Sequence, residues 1–239
     1  MEKTLISLTS HGVRLKYVSR TIFSILKQAN LKIVLTLFQD DVKNIPEDLQ
    51  TLIDTNVVEL IIAEENLCPH LKYYYAMKKY KDYNVITIDD DCLYSSDFIS
   101  SLFNYHIKNP NTIIARRAHL IMLNNGKIKP YNSWKMCIKS SNDNRHIFAT
   151  GVGGILYPAN ILDVDKINLT ELKQCLYADD IFLKVLENRK NIEIKIVNVQ
   201  ENHPKEQQIA EVKNTGLCKI NVIKNRNDEY IKLFENELK

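Results

Sequence analysis

Val85-Ile86-Thr87-Ile88-Asp89-Asp90-Asp91 is an apolar, β-branched run that stops abruptly at three consecutive carboxylates. Its composition is that of a buried strand, and the acids mark where the strand ends. Adjacent carboxylates at a partly buried strand end repel one another and lose hydration. A fold that keeps them is expected to neutralise them with a cation. Alternate residues on an extended segment point the same way, so Asp89 and Asp91 are expected to face one point, with Asp90 turned elsewhere. Hard oxygen ligands at that point suit Mn2+ or Mg2+, and such an ion bridges a diphosphate well.

Toward the N-terminus the pattern alternates. Lys3 to Thr9, Lys32 to Phe38 and Val57 to Ile62 read as strands. Between them, Leu15, Val18, Ile22, Ile25 and Leu26 recur at helical spacing to about Gln28, and Pro46 opens a short helix. Pro69 opens another, with Tyr73, Met77 and Tyr80 on one face. The order β-α-β-α-β-α-β implies crossover connections and a mainly parallel sheet covered on both faces. Ligands bind such sheets at the carboxyl ends of the strands. Thr9-Ser10 and Asp89 to Asp91 therefore belong on one rim.

Beyond the acids the chain is less regular. A helix is expected over Ser96 to Ile107 and strands over Thr112 to Arg116 and Ile192 to Val199. Asn124-Asn125-Gly126 reads as a hairpin turn. Phe148 to Tyr157 combines glycines with a strand, Ala178 to Asn188 reads as a helix, and a last helix falls around Glu229 to Leu238. No internal repeat or linker interrupts the 239 residues, a length that suits one α/β domain.

Composition narrows the function classes. Hydrophobic residues make up 45% and charged residues 26%, as in an ordinary folded domain. A net charge of +3, with scattered basic residues, gives no nucleic-acid footprint. No signal-peptide pattern or bilayer-length apolar run is present, so a cytoplasmic location is expected, with at most a peripheral contact at the inner face of a membrane. Cys68, Cys92, Cys137, Cys175 and Cys218 form no CxxC pair, which disfavours zinc and suits reduced thiols.

Further residues carry candidate chemistry. Asp179-Asp180 opens the helix after Ala178. Acids there are favoured by the helix dipole, and one of them is also placed to act as a general base for an attacking hydroxyl. Thr150-Gly151-Val152-Gly153-Gly154 permits close backbone approach beneath a substrate, without being a dinucleotide fingerprint. Arg14, Lys72, Arg116 and Arg117 lie near strand ends or helix starts, where one or two of them are expected to neutralise phosphate. His203, in Glu201-Asn202-His203-Pro204, is a candidate to complete the metal shell.

Taken together, these motifs resemble bacterial glycosyltransferases of the GT-A fold, close to family 2 and its surface-polysaccharide (capsule and lipopolysaccharide) relatives. The resemblance is carried by Ser7-Leu8-Thr9-Ser10 with Arg14, Ser24 to Gln28, Pro69-His70-Leu71-Lys72, Val85 to Asp91, Ala115-Arg116-Arg117, Trp134, Thr150 to Pro158, and Ala178 to Leu183. It implies one GT-A-like domain over 1–239: a nucleotide-binding half (1–91), a donor-sugar and acceptor half (92–199) and a tail (200–239). Thr9, Ser10, Arg14, Lys72, Asp89, Asp90, Arg116, Gly153 and Gly154 would then contact the nucleotide-sugar, a UDP-sugar first among the candidates. Asp89 and Asp91, with His203, would hold the metal. Asp180 would be the base, with Asp179 second in line where the family commonly has glutamate. The implied reaction is an inverting transfer to a glycan or glycolipid hydroxyl. A sugar nucleotidyltransferase would instead need a glycine-rich basic loop after the first strand, where this chain has a single glycine, Gly12. A non-catalytic nucleotide- or glycan-binding protein on the same scaffold is the rival from another class, and the acids at both sites argue against it.

Overall fold

The computed structural model describes residues 3–137, 144–197, 207–213, 215–216 and 219–239. Its centre is a seven-stranded sheet made of β1 (Thr4–Thr9), β2 (Lys32–Phe38), β3 (Val58–Ala63), β4 (Asn84–Thr87), β5 (Ile113–Ala115), β6 (Ile155–Tyr157) and β7 (Ile194–Ile196). The strand order is β7-β5-β6-β4-β1-β2-β3. β1 is parallel to β2 and β4, β2 to β3, and β5 to β7. β6 runs antiparallel to both of its neighbours, so the sheet is mixed and mainly parallel, as expected.

Strand alternation sorts the apolar residues into two layers. Ile6, Leu8, Ile86, Ile88, Ile114 and Leu156 join one core. There they meet α1 (Leu15–Leu26) through Leu15, Val18, Ile22 and Ile25, α2 (Glu47–Asp54) through Leu49 and Leu52, and α3 (Phe98–His106) through Phe98, Ile99 and Leu102. Ile113, Ala115, Ile155 and Tyr157 enter the other core, against α4 (Asp179–Arg189) through Phe182 and Val185 and α5 (Arg226–Leu233) through Tyr230 and Ile231.

Local chemistry explains several boundaries. Pro46 caps α2 in an extended conformation. Asn125 and Gly126 take φ of 50° and 73° between the short strands Leu123–Asn124 and Lys127–Ile128, the positive-φ pair that a two-residue hairpin turn requires. The helix expected from Pro69 is split into a 3-10 turn, Cys68–Lys72, and a short helix, Tyr74–Lys79. His70, Leu71 and Lys72 are all buried. Successive positions on an α-helix diverge by about 100°, so one regular helix would expose at least one of the three. The last helix is likewise broken at Phe234 into α5 and a short turn, Glu235–Leu238.

No helix among the described residues is long and apolar enough to cross a membrane. Cys68, Cys92 and Cys175 are free thiols; Cys218 lies outside the described residues.

Candidate active site

The rim at the carboxyl ends of β1 and β4 collects two charged groups. In the first, the Arg14 guanidinium reaches Asp90 Oδ1 at 2.7 Å and Asp91 Oδ2 at 2.6 Å. The Ser10 hydroxyl donates to Asp90 Oδ2 at 2.6 Å, and Gln208 Nε2 donates to Asp91 Oδ2 at 2.9 Å. Burial pushes the Asp90 carboxyl up to about 6, against the pull of Arg14 and Ser10. The Thr21 hydroxyl, on α1, donates to the Asp90 carbonyl at 2.9 Å.

Lys72 anchors the second group. Its buried ammonium lies 3.0 Å from Asp89 Oδ1 and 2.7 Å from Asp179 Oδ2. Burial disfavours the charged lysine, but Asp179, Asp89 and Asp180 outweigh it and hold the pKa well above the usual value. Burial also works against ionisation of Asp179, yet the Lys72 charge holds its pKa below the ordinary carboxylate value. Asp180 moves the other way: burial first, then the Asp179 charge, raise it. Its Oδ1 accepts from the Gly151 amide at 3.1 Å.

Gly151 forms the floor of this group. A Cβ added there would lie 2.5 Å from Lys72 Nζ, 3.2 Å from Asp180 Oδ1 and 3.3 Å from Asp89 Oδ1. Gly153 and Gly154, expected beneath the donor sugar, instead make room for packing. A Cβ at Gly153 would meet the Arg117 side chain at 2.6 Å, and Gly154 (φ 78°) sits against the Phe98 ring.

The common point expected for Asp89 and Asp91 is absent. Asp89 turns to Lys72, whereas Asp91 shares Arg14 with Asp90. The ladder of β4 ends at Thr87, and Asp90-Asp91 occupies a turn, so the two-residue side-chain period no longer applies. Arg116 is also displaced from its expected phosphate role. Its side chain is 2% exposed, stacks over Phe98 at 5.4 Å and donates to Ser95 Oγ. Its neighbour Arg117 points to the glycine segment, with Nη1 donating to Thr150 Oγ1 at 2.9 Å. The Thr9 hydroxyl donates to the Thr36 carbonyl at 2.7 Å and so braces β1 on β2. His203 lies outside the described residues.

Four residues to which the sequence analysis gave no site role, Tyr94, Ser24, Gln28 and His70, position the acids. The Asp89 amide donates to the Tyr94 hydroxyl at 3.0 Å, and the Tyr94 amide donates to Ser24 Oγ on α1 at 3.0 Å. Gln28 Oε1 accepts from the Ile99 amide at the start of α3. The helix end Ser24 to Gln28 thus holds the segment after the acids. His70 staples the Lys72 turn to the approach of α4. Its Nε2 contacts the Cys175 carbonyl at 3.1 Å and its Nδ1 the Tyr73 hydroxyl at 2.8 Å. A carbonyl only accepts, so Nε2 carries the proton and Nδ1 accepts from Tyr73. Burial lowers this histidine's pKa to about 4, so the ring is neutral. Buried polar residues inside apolar-looking segments are the signal that would have singled these out.

Among the described residues no three His, Cys, Asp or Glu side chains gather as a metal cage. Asp89 fits a divalent ion as a single ligand: its side chain is 28% exposed, and Oδ2 has no donor among the described residues. Asp91 does not fit, because Arg14 and Gln208 already hold its Oδ2.

No protein-family model matches this sequence, and no curated protein matches it by sequence. Solved structures do share its fold. Residues 1–349 of TarS from S. aureus, in complex with UDP, align at a TM-score of 0.55 and 12% identity, over 85% of this chain and 59% of that one. The longer S. aureus TarS structure aligns at 0.53 and 13%, over 90% of this chain and 38% of that one. The 4-diphosphocytidyl-2C-methyl-D-erythritol synthase of Anaerococcus prevotii DSM 20548 aligns at 0.51 and 12%, over 84% and 88%. This chain thus spans about six tenths of the TarS fragment. The fold is α/β and GT-A-like, as expected.

Proposed function

We propose that this chain is a glycosyltransferase that moves a sugar from a nucleotide-sugar donor to a hydroxyl of a glycan or glycolipid, with inversion. One observation carries the reading: Lys72 joins Asp89, at the end of β4, to Asp179, at the start of α4, directly over Gly151. This sets a cation, a strand-end carboxylate and a helix-start acid pair around one point on the rim where such sheets bind nucleotides. The similarity to a structure solved with UDP supports a UDP-sugar as the donor.

In this mechanism the acceptor oxygen attacks the anomeric carbon as the bond from that carbon to the diphosphate oxygen breaks. The acceptor proton passes to Asp180, and the nucleoside diphosphate leaves with the bonding electrons. Asp180 suits the base better than Asp179, whose carboxylate is committed to Lys72. The raised pKa of Asp180 gives it a base strength closer to neutrality, where proton transfer is most effective. Lys72 stabilises charge developing on the diphosphate, the kind of preorganised electrostatics that dominates catalysis. Mn2+ or Mg2+ held through Asp89 would add Lewis-acid neutralisation of the same leaving group. Arg14 supplies a further cation if it exchanges Asp90 and Asp91 for phosphate.

Calorimetry with UDP, with and without Mn2+, followed by a UDP-sugar hydrolysis screen, tests the reading. Saturable UDP binding and slow sugar release are expected. Binding without hydrolysis or transfer would make the chain a nucleotide-binding protein. A sugar nucleotidyltransferase is the second reading, favoured by the similar length of the A. prevotii synthase. It predicts pyrophosphate release from a nucleoside triphosphate and a sugar phosphate, and that product distinguishes it.

A further inference from the structure

Arg226 is the one arginine whose guanidinium has neither a hydrogen-bond nor a carboxylate partner among the described residues. The others pair with Asp90 and Asp91, Glu211, Ser95, Thr150, the Lys239 carbonyl, or Glu171 and Glu237. Arg226 is half-buried and, among the described residues, is held by two rings, 5.0 Å from the centroid of Tyr177 and 5.6 Å from that of Tyr230. Stacking on two rings fixes the plane of a guanidinium and leaves its donors unused. A fixed planar fork of that kind matches a carboxylate or a phosphate.

Its position ties it to the site. Tyr177 lies two residues before Asp179, a span of at most about 7 Å. The Tyr177 carbonyl accepts from Asn221 Nδ2 at 2.6 Å, its backbone lies beside the Tyr230 hydroxyl, and its own side chain lies beside the Cys68 thiol. Cys68 begins the turn that ends at Lys72. The two segments that carry Lys72 and Asp179 are therefore edged by the platform that orients Arg226. No donor-side residue, neither Asp89 nor Arg14, belongs to it.

We propose that Arg226 binds an anionic substituent, a carboxylate or a phosphate, on the acceptor, so that the acceptor class is an acidic glycan or a sugar phosphate. The assignment to the acceptor rests on the transferase reading; the anion site itself does not.

The test follows the Arg226 side-chain Nε–H resonance in the isotope-labelled full chain. It is titrated separately with D-glucuronate, inorganic phosphate and, as a neutral control, D-glucose, and UDP affinity is measured in parallel. A saturable shift with glucuronate, phosphate or both, and none with glucose, is expected; the stronger anion identifies the substituent. Arg226→Gln should weaken that anion at least tenfold and leave UDP affinity unchanged, which also verifies folding. Arg226→Lys, keeping charge without the fork, should fall between. If neither anion shifts the resonance, or Arg226→Gln binds the anion as well as the parent, the proposal is overturned even if UDP binds. If the anion binds and UDP does not, the anion site stands and the transferase reading falls.

Discussion

Lys72 Nζ lies 2.7 Å from Asp179 Oδ2, so a residue following β3 and a residue opening α4 form one buried ion pair. The contact closes the site across 107 positions of sequence, the difference between 179 and 72. A buried pair contributes little net stability when intact, but removing one partner leaves an uncompensated charge.

Lys72→Met is expected to destabilise the fold by about 3–5 kcal/mol near neutral pH. Without the cation, burial is left to raise the folded-state pKa of Asp179 above its unfolded value. Carboxyls raised in this way favour the folded state below the unfolded pKa and lose that contribution as pH rises through the folded pKa. Urea melts should therefore show a smaller penalty at pH 5 than at pH 8. An equal penalty at both would mean that lost packing, not lost charge, is responsible.

Asp180 gives a stability signature of the same sign in the parent chain. Its pKa is raised, first by burial and then by Asp179, so its protonated form favours the native state and that advantage fades as pH climbs through the folded value. Asp180→Asn cannot ionise and should melt higher than the parent at pH 9, with a smaller gain at pH 5. Under the proposed function the same variant keeps UDP affinity and loses transfer by about 10²-fold or more, while parent turnover increases with pH as Asp180 loses its proton.

The glycines separate site from scaffold. Gly151→Ala brings a methyl 2.5 Å from Lys72 Nζ, so nucleotide affinity or turnover should fall with little change in melting temperature. Gly154→Ala puts a side chain at φ 78° against the Phe98 ring and should cost about 1–3 kcal/mol by overpacking, lowering Tm by several degrees. Paired thermal melts and UDP titrations check both. The reverse pattern would move the site off Gly151.

Ser24→Ala removes the acceptor of the Tyr94 amide. An unpartnered buried donor costs about 1–3 kcal/mol. Tyr94→Phe removes the acceptor of the Asp89 amide and the long donation to the Val152 carbonyl and should likewise cost about 1–3 kcal/mol, while loosening the turn that carries the acids. Hydrogen exchange of the Asp89 amide reads this directly and should quicken in Tyr94→Phe; unchanged exchange would show that the hydroxyl does not hold the turn.

The amino-acid sequence by itself determined what is periodic and local. The four leading strands, the faces of α1, the Asn125-Gly126 turn and the placing of Asp89 and Asp179-Asp180 at element ends all follow from hydrophobic spacing and turn chemistry, which neighbouring residues set among themselves. Only the tertiary structure decided which charge meets which. That Asp89 takes Lys72 while Asp91 takes Arg14, that Arg116 is buried on Phe98 while Arg117 faces Thr150, and that Gly151 rather than Gly153 or Gly154 lines the acids depends on where β4 stops pairing and on contacts between distant segments. A regular period carries no information past the last ladder residue, and the pairing of buried charges is settled by the packing that brings them together.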